Sequence, residues 1–318
     1  MPLPEKALIR HIRGQAAKQP FRGIGIGDDC AVLPLPSGHE VLVTTDFSLE
    51  NVHFKRAWHP PEIVGHRCLT RGLSDIAAMG GEPQAVFLSL AMPGDLPQRW
   101  VDGFLRGLLM LADQFKVGLA GGDTAESPGD VLSDIIVLGS VPKGEAVLRS
   151  GAQPGDQIYV TGELGASAAT LDLLSRGKKL RPQDYVRHFF PTPRVAVGRA
   201  LRAKRLASAM IDISDGLSTD LGHICEKSGV GAEIESEAIP VGEIGKPARG
   251  VDLRFALHGG EDYELLFTAP LGKRIPSQIA GVEIHQIGVV TRSRRVFLRD
   301  SKSVKRELRP QGWEHFKR

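Results

Sequence analysis

The chain is organised around one short stretch near its start, Gly23-Ile24-Gly25-Ile26-Gly27-Asp28-Asp29. Glycine at every second position frees the backbone for conformations closed to other residues and lets a ligand approach the main chain. The two adjacent carboxylates repel each other unless a proton or a cation separates them, and near neutral pH we expect a hard divalent cation there. An acidic surface turn would have the same composition, so the rest of the sequence has to distinguish the two interpretations.

The composition is that of a globular protein. A chain of 318 residues is long enough for two domains, each with its own core. Charged residues make up 24%, hydrophobic residues make up 42%, and the net charge is only +3, so we expect neither nucleic acid nor a membrane surface as a partner. Glycine is unusually frequent, because its 37 residues exceed the average share of about 7%.

The cysteines and the N-terminus predict a cytoplasmic protein. Cys30, Cys68 and Cys225 are odd in number and form no CxxC pair, which is typical of reduced thiols. The first thirteen residues are charged and lack the apolar segment of a signal peptide. No later run approaches the roughly 18 apolar residues that cross a membrane.

Several acids lie at predicted strand ends or beside glycines. Val41-Leu42-Val43-Thr44-Thr45-Asp46 is typical of a strand that ends on Asp46, and helical spacing from Glu62 to Met79 predicts a helix with Asp75 in its last turn. A carboxylate in that turn opposes the helix dipole, which favours a nearby cation, although a solvated side chain there is the alternative. Gly121-Gly122-Asp123-Thr124 and Asp212-Ile213-Ser214-Asp215-Gly216 each follow a further predicted strand.

These acids predict a magnesium site if they meet in space. The set consists of Asp28, Asp29, Asp46, Asp75, Asp123, Asp212 and Asp215. Carboxylates crowded together have to be neutralised, and Mg²⁺ that bridges them to substrate phosphates does this. Thr44, Thr45 and Ser214 suit neutral oxygen ligands or phosphate donors.

The sequence also predicts where the domains divide. Gly151-Ala152-Gln153-Pro154-Gly155-Asp156 is a turn before a strand, so we place the boundary near residue 150, between a domain of residues 1–150 and one of residues 151–318. In the second domain we expect a helix over 275–280.

Signatures of other enzymes are absent, namely GxxxxGK[ST], HExxH and the catalytic loop of protein kinases, and the glycine stretch does not fit GxGxxG.

Seven motifs in sequence resemble the thiamine-monophosphate kinase family, and they cover nearly the whole chain. They are Gly25-Ile26-Gly27-Asp28-Asp29-Cys30-Ala31, Thr44-Thr45-Asp46, Asn51-Val52-His53-Phe54, Leu73-Ser74-Asp75-Ile76-Ala77-Ala78-Met79-Gly80, Gly121-Gly122-Asp123-Thr124, Ile211-Asp212-Ile213-Ser214-Asp215-Gly216-Leu217 and Gly259-Gly260-Glu261-Asp262-Tyr263-Glu264-Leu265. Each motif alone is ordinary, but the seven in this order are specific.

The resemblance implies an α/β (mixed α+β) fold of two domains, like that of aminoimidazole ribonucleotide synthetase. It implies an N-terminal domain that binds ATP and Mg²⁺ and pairs its sheet across a homodimer, and a C-terminal α/β domain that completes the active site. The implied reaction is in-line transfer of the γ-phosphoryl group of ATP to thiamine phosphate, which yields thiamine diphosphate and ADP.

The resemblance also implies roles for particular residues. The metal ligands would be Asp29, Thr44, Thr45, Asp46, Asp75, Asp123, Asp212 and Asp215, of which Asp46, Asp75, Asp123 and Asp215 would be catalytic. ATP would contact Gly122, Asp123, Arg149 and Ser214. Thiamine phosphate would contact His53, Glu261 and Trp313, with Trp313 as an aromatic face. On the residues alone, His53 is equally well a surface or core imidazole.

Two alternatives lie close to this hypothesis. Selenophosphate synthetases have the same overall plan, but no reactive Cys and Lys pair precedes Gly23, and hydrogenase maturation factors end in a reactive cysteine, whereas this sequence ends in Phe316-Lys317-Arg318. A nucleotide or metal sensor without catalysis is the alternative of another class. His53 and Glu261 argue against it, because a sensor does not need residues for the acceptor.

Overall fold

A computed structural model describes Leu3, residues 5–19, Ile26, Leu33 and residues 35–313. Apart from Ile26, the glycine stretch with Asp28 and Asp29 lies outside the described residues, and so does Cys30. The chain divides into two compact units: the first comprises Met1–Ile76 and Gly81–Gly144, and the second comprises Ala77–Gly80 and Glu145–Arg318. The boundary at residue 150 and the role given to each domain stay predictions.

The first unit is a four-stranded sheet with helices, as far as its described residues go. Its elements are α1 (Glu5–Ala16), β1 (His39–Leu49), α2 (Pro61–Ala78, whose last two residues belong to the second unit), β2 (Glu82–Pro93), α3 (Gln98–Gln114), β3 (Gly118–Ser127) and β4 (Leu132–Pro142). The strand order is β1-β4-β2-β3, and only β2 and β3 are parallel neighbours. The register places one residue of each strand in a single row across the sheet: Phe47, Asp134, Ser89 and Asp123.

Helix α2 packs on one face of this sheet, at close range. A Cβ atom on Gly72 would lie 2.5 Å from the side chain of Val137 on β4. Helices α2 and α3 are also in backbone contact, because a Cβ on Gly65 would lie 1.9 Å from the carbonyl oxygen of Phe104, and one on Gly107 would lie 1.8 Å from that of Glu62. Larger side chains would separate these elements.

The opposite face of the sheet carries exposed apolar side chains. Because side chains alternate along a strand, β1 directs Val41, Val43 and Phe47 away from α2, and they are 44%, 64% and 52% exposed. We call this surface, defined by Val41, Val43 and Phe47, the open face. A contiguous exposed apolar surface of this kind usually marks a site of association.

The second unit contains a larger, mainly antiparallel sheet. Its elements are β5 (Gln157–Thr161), α4 (Ala166–Ser175), α5 (Val186–Phe189), α6 (Val195–Ala203), β6 (Ala209–Asp212), α7 (Leu217–Ser228), β7 (Gly231–Glu235), β8 (Glu243–Ile244), β9 (Arg249–Gly250), α8 (Leu253–His258), β10 (Leu265–Ala269), β11 (Gln278–Ile279), β12 (Val282–Thr291), β13 (Val296–Arg299) and β14 (Lys305–Glu307). The sheet order is β14-β13-β7-β12-β5-β10-β6, with β11 paired to β12. Its core includes Ile158, Ile211, Leu221 and Leu266.

Three local predictions were wrong. Residues 278–279 form β11 rather than part of a helix, because Ala280 and Gly281, with φ of +49° and +80°, form a two-residue turn that pairs β11 with β12. Asp46 does not end its strand, because β1 pairs with β4 as far as Leu49. Asp123 also lies inside a strand, since β3 pairs with β2 as far as Ser127.

The mixed α/β fold class is confirmed. Strands and helices alternate through both units, and the longest predicted elements are present with boundaries shifted by a few residues. Within residues 5–19 and 35–313, no helix combines the length and the apolar character needed to cross a bilayer.

Candidate active site

In the first unit, β1 and α2 bring two predicted metal ligands together. Thr44 and Asp46 lie on the face of β1 that packs against α2. The hydroxyl of Thr44 donates a short hydrogen bond to Oδ2 of Asp75, in the last turn of α2. One turn earlier on the same helix, Nη1 of Arg71 lies 3.5 Å from Oδ1 of Asp46. Asp46 is therefore partly neutralised by a cation of the protein itself.

A second polar group lies on the open face of the same sheet. The hydroxyl of Thr45 donates to Oδ1 of Asp134 on β4 over 2.7 Å. Asp123 is exposed in the same cross-strand row as Asp134, two strands away, which is roughly 10 Å between backbones. Its Oδ1 accepts the backbone N–H of Thr124 at 2.8 Å. Sequence reasoning missed Asp134, which has no glycine beside it and lies within a strand pattern.

Gly122 and His53 complete the predicted residues of this unit. Gly122 has φ of +149°, and a Cβ there would lie 1.9 Å from the carbonyl oxygen of Leu88. Only glycine fits this position, because both its φ angle and the neighbouring backbone exclude a side chain. Nδ1 of His53 accepts the backbone N–H of Leu49 at 3.0 Å, which fixes the orientation of the ring.

In the second unit, the turn between β6 and α7 carries three predicted residues. Asp212 is the last residue of β6 and is 3% exposed, whereas Ser214 and Asp215 are half-buried. Three side chains in this segment could together hold a metal ion, because one ligand atom of each lies within 4.8 Å of the others: Asp215, Asp220 and His223. Asp220 and His223 were missed, although their spacing of three residues places them on one face of α7.

Asp220 holds the main chain of this turn. Its Oδ2 accepts the backbone N–H of Asp215 at 3.2 Å and that of Gly216 at 3.0 Å. Burial, together with the negative charges of Asp212 and Asp215, raises the pKa of Asp220 well above its ordinary value, against the lowering effect of these two N–H groups. These effects shift the carboxyl toward its neutral form relative to an exposed aspartate, and both forms can accept the two hydrogen bonds.

Glu261 lies beside this turn. Its backbone N–H donates to the carbonyl oxygen of Ser214 at 2.8 Å. The next residue, Asp262, accepts the N–H of Gly165 at the start of α4 over 2.7 Å. Burial raises the pKa of Asp262 to about 8, and the charge of Glu264 adds to this effect, whereas the N–H groups of Gly165 and Ser167 and the charge of Arg187 oppose it.

Two further residues complete the predicted set in the second unit. Trp313 is 54% exposed, and its backbone N–H donates to the carbonyl oxygen of Asp215 at 3.2 Å. Arg149 has an exposed side chain, and its carbonyl oxygen accepts the hydroxyl of Ser228 at 3.3 Å. The structure thus groups Ser214, Asp215, Glu261 and Trp313 within this unit, whereas the convergence of all predicted acids on shared ions stays a prediction.

The fold and these acid-bearing turns define a class, the AIR synthase related proteins. The N-terminal domain of that class matches residues 27–141, and its C-terminal domain matches residues 153–301. The thiamine-monophosphate kinase of Escherichia coli strain K12 is 39% identical over 308 residues, which is 92% of either chain. By this similarity the chain belongs to the thiamine-monophosphate kinase family.

Solved structures agree with this assignment. The thiamine-monophosphate kinase of Stenotrophomonas maltophilia K279a has a TM-score of 0.82 and 35% identity, over 94% of this chain and 97% of that chain. The structure of AaThiL complexed with AMPPCP and TMP has a TM-score of 0.77 and 30% identity, over 98% of this chain and 97% of that chain. The predicted fold and family are therefore confirmed.

Proposed function

We propose that the chain transfers the γ-phosphoryl group of ATP to thiamine phosphate, which yields thiamine diphosphate and ADP. The observation that supports this most is its likeness, over 98% of its length, to AaThiL complexed with AMPPCP and TMP. The acids on α2, β1, β3 and the turn before α7 suit such a reaction, because they could hold the Mg²⁺ that two polyanionic substrates need for neutralisation.

The donor atoms of these residues fit Mg²⁺. Mg²⁺ prefers oxygen ligands, and Thr44, Asp75, Asp46 and Asp215 supply hydroxyl and carboxylate oxygens. We propose as its ligands the residues inferred from sequence, namely Asp29, Thr44, Thr45, Asp46, Asp75, Asp123, Asp212 and Asp215. When bound there, Mg²⁺ would supply the positive charge that neutralises the phosphates.

The side chains have a positioning role rather than a proton-transfer role. The acceptor is a phosphate oxygen that is already ionised at neutral pH, so the reaction needs no general base. Gly122, Asp123, Arg149 and Ser214 would contact ATP. His53, Glu261 and the exposed ring of Trp313 would hold thiamine phosphate for in-line attack.

Part of this proposal concerns a second copy of the chain. The open face exposes Val41, Val43 and Phe47 on the same sheet as Thr45 and Asp123. We propose that two such sheets pair in a homodimer, which would bury these apolar side chains. We also place the protein in the cytoplasm, in line with the buried free thiols of Cys68 and Cys225.

A direct assay tests the reaction. The purified chain is incubated with Mg²⁺, ATP and thiamine phosphate, and the nucleotides and thiamine species are separated by chromatography. We expect thiamine diphosphate and ADP in equal amounts. ADP with free phosphate, and without thiamine diphosphate, would contradict the assigned acceptor, and binding of ATP without turnover would favour a sensor.

A further inference from the structure

The segment that carries Glu261 is held in an unusual backbone conformation. Glu261 and Tyr263 both have positive φ, +65° and +52°, in the left-handed region that side chains other than glycine rarely occupy. Two such residues within three positions are costly, so the surrounding structure has to hold the segment in place. The contacts of this segment therefore indicate what fixes the position of Glu261.

Main-chain hydrogen bonds tie the segment to the turn after β6. Besides the bond from Glu261 to Ser214, the N–H of Tyr263 donates to the carbonyl oxygen of Ile213 at 2.9 Å. The N–H of Ile213 in turn donates to the carbonyl oxygen of Glu264 at 2.8 Å. Glu261 and Ser214 thus belong to one hydrogen-bonded unit, whose other end is Glu264.

The carboxylate of Glu264 is the anchor of this unit. Glu264 is 1% exposed, and its Oε2 accepts the hydroxyl of Thr161 at 2.6 Å. Arg194 forms two bonds with it, from Nε to Oε2 at 2.7 Å and from Nη2 to Oε1 at 2.5 Å. Arg187 lies between two acids, 3.5 Å from Glu264 and 3.0 Å from Glu163.

The paired bonds of Arg194 restrict the carboxylate in both distance and orientation. A guanidinium that bonds both oxygens of a carboxylate fixes its plane, which a lysine ammonium cannot do. The carboxylate of Glu264 has little space in which to move, because a Cβ atom added to Gly162 would lie 2.3 Å from the Oε1 of Glu264. Arg194 immediately precedes α6, so the helix holds the guanidinium in a defined place.

We propose that Arg194 is a positioning residue for thiamine phosphate, because through Glu264 it holds the left-handed segment that presents Glu261. This inference rests on the proposed function. Arg194 acts on Glu261 through the main chain. Ser214, the proposed ATP contact of the same unit, lies in a turn that Asp220 also holds through two backbone N–H groups. Loss of Arg194 is therefore expected to weaken the binding of the acceptor more than that of ATP.

Helix α6 also provides a matched control. Arg202, in its last turn, pairs with Glu145 at 2.6 Å and donates from Nε to the carbonyl oxygen of Gly80 at 2.8 Å. The side chains of Arg194 and Arg202 are similarly buried, at 18% and 13% exposure. Arg202→Met therefore removes an arginine of similar burial whose bonds are to Glu145, which is 38% exposed, and to Gly80, both outside the segment that carries Glu261.

The experiment compares the KM for thiamine phosphate and the KM for ATP in Arg194→Met, Arg194→Lys and Arg202→Met. For Arg194→Met we expect the KM for thiamine phosphate to rise roughly tenfold or more, with the KM for ATP changed less than about twofold. Arg194→Lys should give an intermediate KM for thiamine phosphate. Arg202→Met should keep the wild-type KM for thiamine phosphate. A wild-type KM in both Arg194 variants, or an equal rise in Arg202→Met, would overturn the inference.

The double variant Arg194→Met/Glu264→Gln separates positioning from charge balance. It leaves no unpaired buried charge, so it should unfold at a higher temperature than Arg194→Met. If Arg194 positions the acceptor site, the KM for thiamine phosphate stays raised, whereas a return to the wild-type KM would overturn the inference. If the wild-type enzyme forms no thiamine diphosphate, the proposed function itself is contradicted. If the wild type is active and the Arg194 variants keep its KM for thiamine phosphate, only the positioning role is contradicted.

Discussion

The hydroxyl of Thr44 on β1 is hydrogen-bonded to the carboxylate of Asp75 on α2. The bond joins a strand and a helix that are 31 residues apart in sequence. Together they place a hydroxyl oxygen and a carboxylate, both proposed here as metal ligands, at one point of the first unit. Replacing such ligands is the most direct test of the proposed chemistry.

We expect Asp46→Ala and Asp215→Ala each to reduce kcat on the order of 10² or more, because each removes a proposed ligand of the Mg²⁺ that would neutralise the phosphates in the transition state. Circular dichroism should show that both variants remain folded. Asp113→Asn, an exposed acid on α3, is the control and should keep wild-type kcat. Near-normal turnover in Asp46→Ala or in Asp215→Ala would remove that residue from the mechanism.

Substitutions of Asp220 test its role in the turn before α7. Asn keeps an oxygen that accepts the N–H groups of Asp215 and Gly216 and resembles the neutral carboxyl, so Asp220→Asn should be nearly as stable as wild type. Asp220→Leu leaves both groups without an acceptor and should lose about 1–3 kcal/mol of unfolding free energy, measured in urea. Equal stability of the two variants would exclude this role.

Gly122→Ala should destabilise the first unit by about 2 kcal/mol or more, because the added Cβ would meet the backbone of Leu88 at a positive φ. Gly129→Ala is a matched control, since a Cβ on Gly129 has no atom within 4 Å. Thermal unfolding of the two variants gives the comparison. Similar unfolding temperatures would mean that the strand accommodates a side chain at Gly122.

The free energy of unfolding should fall at alkaline pH because the thiol of Cys68 is buried. Burial raises the pKa of this thiol from 9.0 to about 11, so between these values the unfolded chain has lost a proton that the folded chain keeps. The free energy of unfolding therefore falls as pH rises from 9 to 11, by about 2–3 kcal/mol in total. Chemical denaturation of wild type and Cys68→Ser at several pH values measures this. Parallel pH curves for the two proteins would contradict the prediction.

Val43→Asp should convert the proposed dimer into a monomer, because it places a charge at the centre of the open face. Light scattering after gel filtration should give the mass of two chains for the wild type and of one chain for the variant. Val52→Asp is the control, since Val52 is 45% exposed but lies in a turn after β1. A wild type with the mass of one chain would contradict the dimer.

Several residues of the candidate site could be named from local sequence patterns. A glycine beside an acid, or an acid at the end of a strand, is visible within a few residues, which is why Asp75, Gly122 and Asp215 could be named in advance. The helical spacing of Asp220 and His223 was equally visible, but it gains meaning only once Asp215 is known to lie beside the first turn of α7.

Partners from distant segments could not be predicted in the same way. Asp134 bonds to Thr45, and Arg71 lies near Asp46, through strand pairing and helix packing that no local pattern specifies. The left-handed conformation of Glu261 depends likewise on tertiary contacts, because neither residue with positive φ in that segment is a glycine. Local sequence would favour an ordinary turn after Gly259-Gly260.

The backbone contact of α2 with α3 at Gly65 and Gly107 has a consequence for Asp75. At these two positions backbone meets backbone, so no side chain there can change its rotamer to accommodate a different distance between the helices. Asp75 lies ten residues beyond Gly65 on α2, which is about 15 Å along the axis. A shift at the crossing point is therefore expected to move the carboxylate of Asp75 relative to Thr44, so residues that touch no substrate would set the geometry of the proposed magnesium ligands.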